Sequence, residues 1–124
     1  MHGHFHWNEL MTRDAEGAEA FFRDLMGWEV ETMPMPEGVY RVMKVDGRPV
    51  GGIMAMPSTM PSGTPSHWGS YLEVENVDQA AKRTSELGGT VHRPPWDIPG
   101  VGRVAIIADP SGAVLGLITP EPRG

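Results

Sequence analysis

The residues able to do chemistry in this chain are few and unevenly placed. Three of its five histidines fall in the string His2-Gly3-His4-Phe5-His6. Alternate residues of a strand share a face, so imidazoles at this spacing could take up nickel or zinc. The structural alternative is a solvated start to the chain. His67 and His92 are isolated and read as ordinary polar residues. There is no cysteine, which excludes disulfides, thiolate nucleophiles, iron–sulfur clusters and Cys-type zinc sites. Asp109-Pro110-Ser111-Gly112 offers a serine, but in a turn string without the strand–turn–helix context of a nucleophile. Glu9 and Tyr71 lie in strand-like segments. Arg41 and Arg103 each follow a Gly-Val-x triplet, where a guanidinium could anchor an anionic ligand or brace a sheet edge.

Composition narrows what surrounds these groups. At 124 residues and 13.5 kDa the chain allows one domain, or two small modules sharing a core. Ten basic against sixteen acidic residues give a net charge of −6 and a pI near 5.2. No Lys or Arg cluster is present, so neither nucleic acid nor an anionic membrane surface is a predicted partner. The longest apolar run, Val104 to Ala108, falls far short of the roughly 20 residues of a membrane span. No basic-then-apolar leader opens the chain, and a cytoplasmic location is predicted. Sixteen Gly and twelve Pro suit many short strands and turns. Nine Met and four Trp can fill a core or line a pocket.

The chain repeats itself at half its length. Gly38-Val39-Tyr40-Arg41-Val42 and Gly100-Val101-Gly102-Arg103-Val104 both read GVxRV, 62 residues apart. The same offset relates Asp14 to Asn76, each opening a helical pattern, while Gly27 and Gly88 end those helices. Phe5–Met11 reads as a strand, and Asp14 caps a helix to Met26 whose Ala18, Phe21, Phe22 and Leu25 fall at helical spacing. Strands follow at Trp28–Met33, Tyr40–Val45 and Val50–Met56. In the second half the pattern is strand Trp68–Val74, helix Asp78–Leu87 and strands Thr90–His92, Arg103–Ala108 and Ala113–Ile118. The order is βαβββ twice, an α+β class. Modules 4–56 and 67–119, joined by a Pro- and Gly-rich linker over 57–66, make one domain over 1–124.

With these strings in place the sequence resembles the vicinal oxygen chelate superfamily, which contains glyoxalase I, bleomycin-resistance proteins and extradiol dioxygenases. The resemblance rests on Trp7-x-Glu9-Leu10-x-Thr12-x-Asp14, Ala18-x-x-Phe21-Phe22, Gly27-Trp28, Trp68-x-x-Tyr71, Leu87-Gly88-Gly89, Ile98-Pro99-Gly100-Val101-Gly102-Arg103 and Asp109-Pro110-Ser111-Gly112-Ala113. It implies tandem modules that form a half-open barrel around a cavity, and a homodimer at this length. It also implies a divalent metal held by His and Glu from the first and last strands of each module. Those positions fall here on Trp7, Gly69 and Gly116, and on Gly52 or Gly51. None can bind a metal through its side chain, so neither a metal nor any other cofactor is predicted.

The resemblance also implies which residues face the cavity. If Trp7 does, strand alternation brings Glu9 with it, beside Gly69 and Tyr71. Gly52, Met54, Val114 and Gly116 would line it from the last strands, where glycines open space for a ligand. Trp68 and Trp96 would stack on the ligand, and Arg41 and Arg103 would sit at the rim. The predicted function is metal-free binding of a small aromatic or apolar molecule, with binding favoured over catalysis and glyoxalase I activity not expected. One alternative is a metal-independent lyase or isomerase, with Glu9 as general base and Tyr71 donating a proton or hydrogen bond. A second is a metal-dependent glyoxalase-like enzyme, should the ligand positions lie elsewhere. Structurally, Glu9 could instead pair with Arg41 or Arg103.

Overall fold

A computed structural model describes residues 1–35, 38–56, 62–98 and 101–121. Ten elements follow in the order β1 (Phe5–Thr12), α1 (Ala15–Met26), β2 (Glu29–Met35), β3 (Gly38–Val45), β4 (Arg48–Ala55), β5 (His67–Glu73), α2 (Val77–Glu86), β6 (Thr90–Ile98), β7 (Gly102–Ala108) and β8 (Val114–Pro120). The element order is βαβββ twice, and the class is α+β as the sequence predicts. The chain divides into two compact units, the first Asn8–Gly69 and the second Met1–Trp7 with Ser70–Gly124.

In the first unit the strands run in the order β2-β3-β4-β1, with β1 parallel to β4 and the other pairs antiparallel. Asp14 starts α1 by accepting the Gly17 N–H at 2.9 Å. Gly27 ends it at φ 69°, a left-handed conformation in which its N–H reaches the Arg23 carbonyl. The core is Leu10, Met43 and Ile53, onto which Ala15, Ala18, Phe22, Trp28 and Val30 pack. Phe22 stacks on Trp28 at 5.3 Å. Only part of the predicted helix stripe reaches this core, for Phe21 and Leu25 are 58% and 62% exposed. Ser66, at the end of the predicted linker, hydrogen-bonds the Thr12 hydroxyl and accepts the Arg13 N–H, so this stretch is tied to β1. Residues 57–61 of that linker lie outside the described residues.

In the second unit the order is β5-β8-β7-β6, with β5 parallel to β8. Asn76 caps α2 by accepting the Gln79 N–H at 3.1 Å. Val74, Val77, Ala105 and Leu117 form the core, joined by Leu72, Ala80 and Ile107. The chain start belongs to this unit, with Gly3 N–H donating to the Glu73 carbonyl and Glu73 N–H to that of His4. β6 runs on to Ile98, well past the predicted His92. Pro94 and Pro95 are accommodated because β6 ends the strand order and shifts register between Arg93 and Trp96. Pro99 and Gly100 of the Ile98–Arg103 string lie outside the described residues.

Candidate functional site

In each unit one sheet face carries the helix, and the candidate residues divide between the two faces. Leu10, Met43 and Ile53 point to the helix side of the first unit. Alternation therefore sends Glu9, Met11, Tyr40, Val42, Gly52 and Met54 to the opposite side. The register is parallel between β1 and β4, pairing Glu9 with Gly52 and Met11 with Met54. β3 lies beyond β4, with Val42 opposite Gly52. Tyr40 stands one step along β3, and its phenol crosses β4 over Gly52 to donate a hydrogen bond to Glu9 Oε2 at 2.8 Å. A Cβ built on Gly52 would fall inside the end of that phenol. The glycine is thus the gap through which Tyr40 reaches Glu9, whose residue exposure is only 8%.

The second unit repeats half of this arrangement. Tyr71 on β5 is paired with Gly116 on β8, the register position that Glu9 and Gly52 occupy in the first unit. A Cβ on Gly116 would fall inside the Tyr71 ring. The last-strand glycines were predicted to open space for a ligand. Here both spaces are filled by phenols of the chain itself. On the same side of this unit Val114 is exposed, and Trp96, paired with Val104, carries the Arg93 guanidinium 3.6 Å from its ring centroid.

Three predicted wall residues stand on the other face. Arg41 reaches α1, where its Nε lies 2.6 Å from Glu19. Arg103 reaches α2, with its Nε 2.8 Å and its Nη2 3.0 Å from the two Asp78 oxygens, and pairs with Asp97 at 3.2 Å. These hydrogen bonds hold the Asp78 carboxyl below its ordinary value and push the Arg103 guanidinium up. Both arginines therefore fasten the third strand of a unit to its helix, and the suggested pairing of Glu9 with either gives way to Tyr40. Trp68 meets Phe22 edge-to-face at 5.6 Å on the helix side, because it is three residues from Tyr71 and strand parity separates them. Trp7 is half-buried on β1, and Gly69 stands with its Cβ position 4.0 Å from the Glu9 carbonyl oxygen.

Two of the three N-terminal histidines have structural partners. His2 Nδ1 accepts the Glu75 N–H at 3.1 Å, and His6 Nδ1 lies 3.2 Å from Glu73. Among the described residues no three His, Cys, Asp or Glu side chains converge as a metal-ligand set. The family's metal does not fit the positions expected to hold it, since Trp7, Gly52, Gly69 and Gly116 carry no donor and two of the four are covered by phenol rings. No helix is long and apolar enough to cross a membrane among the described residues. Tyr40 is the residue that sequence reasoning missed. It is the variable position of the first GVxRV string, and only the missing Cβ at Gly52 shows that its ring has a path to Glu9.

Comparison with known proteins agrees with this architecture. A family model described as "Glyoxalase/Bleomycin resistance protein/Dioxygenase superfamily" matches residues 4–117. "Putative glyoxylase CFP32" of Mycobacterium bovis is 40% identical over 118 residues, covering 94% of this chain and 44% of its own length. "Anthracycline biosynthesis protein DauV" of Streptomyces sp. (strain C5) is 30% identical over 121 residues, covering 88% and 44%. The chain thus spans less than half the length of these curated relatives. Among solved structures, methylmalonyl-CoA epimerase from Mycobacterium tuberculosis matches with a TM-score of 0.70 at 15% identity, over 97% of this chain and 89% of that one.

Proposed function

Because the chain belongs to the glyoxalase/bleomycin resistance protein/dioxygenase superfamily, we propose that it works without the metal of that family's enzymes, as a binder of a small aromatic or apolar molecule. The observation that carries this reading is the filling of the Gly52 and Gly116 positions by Tyr40 and Tyr71. A ligand-bearing side chain at either place would displace a phenol that the fold has seated. In the first unit Tyr40 leads to the buried Glu9, with Met11 and Met54 on the same face, a pattern suited to holding an organic molecule in one orientation. The names of the relatives, a glyoxylase and an anthracycline biosynthesis protein, are compatible with small organic ligands. We read residues 4–56 and 67–119 as duplicated modules of one domain and the working protein as a homodimer.

Native mass spectrometry of untagged protein, purified without added metal, tests this reading. The expected spectrum is a metal-free dimer that takes up or already carries an organic molecule. A stoichiometric metal that persists after His2, His4 and His6 are changed to Ala would overturn it. The burial of Glu9 also suits a second reading, a metal-independent lyase or isomerase with Glu9 as base. Glu9→Gln separates the two, because a base is then lost and turnover of the recovered molecule stops, whereas a binder has no turnover to lose.

A further inference from the structure

β6 is irregular where it crosses the second unit's candidate face. Arg93 is paired with Ile106 and Trp96 with Val104, so three steps along β6 answer two along β7. Residues three apart on a regular strand point to opposite faces. The register shift between these two turns both toward the face of Val104 and Ile106, away from α2, against which Ala105 packs. Bulges re-aim side chains in this way. Pro94 and Pro95 span the shift, and their rings lock φ there. The Arg93 guanidinium consequently lies 3.6 Å from the centroid of the Trp96 ring.

Arg41 and Arg103 were expected to anchor an anionic ligand, but Glu19 and Asp78 hold them on the helix sides. Arg23 and Arg83 also pair with helix carboxylates. Arg93 has no carboxylate partner among the described residues. At 3.6 Å the guanidinium lies flat on the indole, which uses its face. Its N–H donors lie in its plane, the fork that a carboxylate accepts through both oxygens. Half-buried Trp96 and Ile106 supply apolar surface beside that fork.

From this juxtaposition we propose that the face binds an aromatic carboxylate. The carboxylate accepts from Arg93, the ring lies on Ile106 and the edge of Trp96, and Trp96 holds the guanidinium in place. The proposal rests on the small-molecule-binding reading above and adds to it the charge and class of the ligand.

The test titrates the full chain with 2-naphthoate and 2-naphthamide, which share a shape and differ in charge, by calorimetry at about pH 7, where the acid is ionised. The wild-type protein is expected to bind the naphthoate about tenfold more tightly, the size of a charge-assisted hydrogen-bonded pair. A net charge of −6 opposes an anion, so the overall field cannot supply that preference. Arg93→Gln should reduce it to about twofold or less and leave naphthamide affinity within about twofold of wild type, which separates loss of the anchor from loss of the fold. Arg93→Lys keeps the charge without the planar fork and should retain a preference of only about threefold. Equal binding of the two probes by the wild type overturns the carboxylate proposal and leaves the binding reading standing. A preference that survives Arg93→Gln overturns the assignment of Arg93, and one undiminished in Arg93→Lys overturns the two-oxygen contact. Binding of neither probe overturns the binding reading and this proposal with it. The wild-type comparison needs no variant to fold.

Discussion

The two units place a phenol over a glycine on the last strand, but they do so from different strands and with different consequences. In the second unit Tyr71 is the register partner of Gly116, and its ring simply lies over its neighbour. In the first unit the register partner of Gly52 is Glu9, and the phenol arrives from Tyr40 on the far side of β4. One glycine is a seat and the other is a passage. The difference teaches that two units with the same element order can each seat a phenol over a glycine and still differ in chemistry. A single exchange at one register position, carboxylate for phenol, turns a packed face into one with an oriented acceptor. The helix sides do not differ in this way. There Arg41 holds Glu19 and Arg103 holds Asp78, the same strand-to-helix tie in both units.

The sharpest way to break this comparison is to add one methyl group to each glycine. In Gly116→Ala the new Cβ falls against Cγ, Cδ2 and Cε2 of Tyr71, close to where the ring is attached, so the ring cannot swing clear. Overpacking of this kind should cost about 2 kcal/mol. In Gly52→Ala the Cβ meets the hydroxyl end of Tyr40, which can move aside, and the loss should be about 1 kcal/mol. Urea denaturation with unchanged m-values would check both. Equal losses would mean that seat and passage are packed alike.

Next in size is the pair of arginine ties. Arg41 and Glu19 have side chains only 14% and 18% exposed, whereas Arg103 and Asp78 are 37% and 57% exposed. Arg41→Met removes the shielded half of a pair in which Glu19 keeps only its more exposed partner Arg23, so it should cost about 1 kcal/mol. Arg103→Met should cost clearly less, because solvent already screens its partner. The same denaturation series reads both, and a larger loss at Arg103 would reverse the ranking. The helix caps should show the units at their most alike. Asp14→Ala and Asn76→Ala each remove an acceptor for a first-turn N–H, and each should cost about 1 kcal/mol.

The caps also show what the sequence makes legible. Asp14, Gly27 and Asn76 act through neighbours a few residues away, so their roles can be read from spacing alone. Glu9 was legible as the carboxylate of the first strand, and alternation put it opposite Leu10. Trp68 and Tyr71 were placed on one wall although an odd separation puts them on opposite faces, a signal that parity already contained. Tyr40 was not legible, because its role depends on a glycine on another strand, twelve positions on, and on the register between them. The partners of Arg41 and Arg103 were hidden for the same reason, since a helix carboxylate 22 or 25 residues away becomes a neighbour only after packing. Local signals gave the elements, and long-range register decided the site.

The smallest expected effect sharpens the comparison by pH. Asp78 is held below its ordinary value of 3.8 chiefly by the hydrogen bonds from Arg103, against an opposing effect of burial. A carboxyl depressed in the folded state stabilises the fold fully above its unfolded value, and that contribution disappears as pH falls through the folded one. Between about pH 5 and 8 the tie is therefore constant, and the stability gap between wild type and Arg103→Met should not change. Below about pH 4 the gap should close as Asp78 takes up its proton. Asp109 is lowered too, by the Ser111 hydroxyl and then the Ala113 N–H, but Arg103→Met leaves that turn intact, so its acid loss appears in both proteins and cancels in the difference. Denaturation midpoints at several pH values give the result. A gap that persists unchanged at about pH 2 would show that the Arg103 stem braces the sheet by packing rather than by its charge.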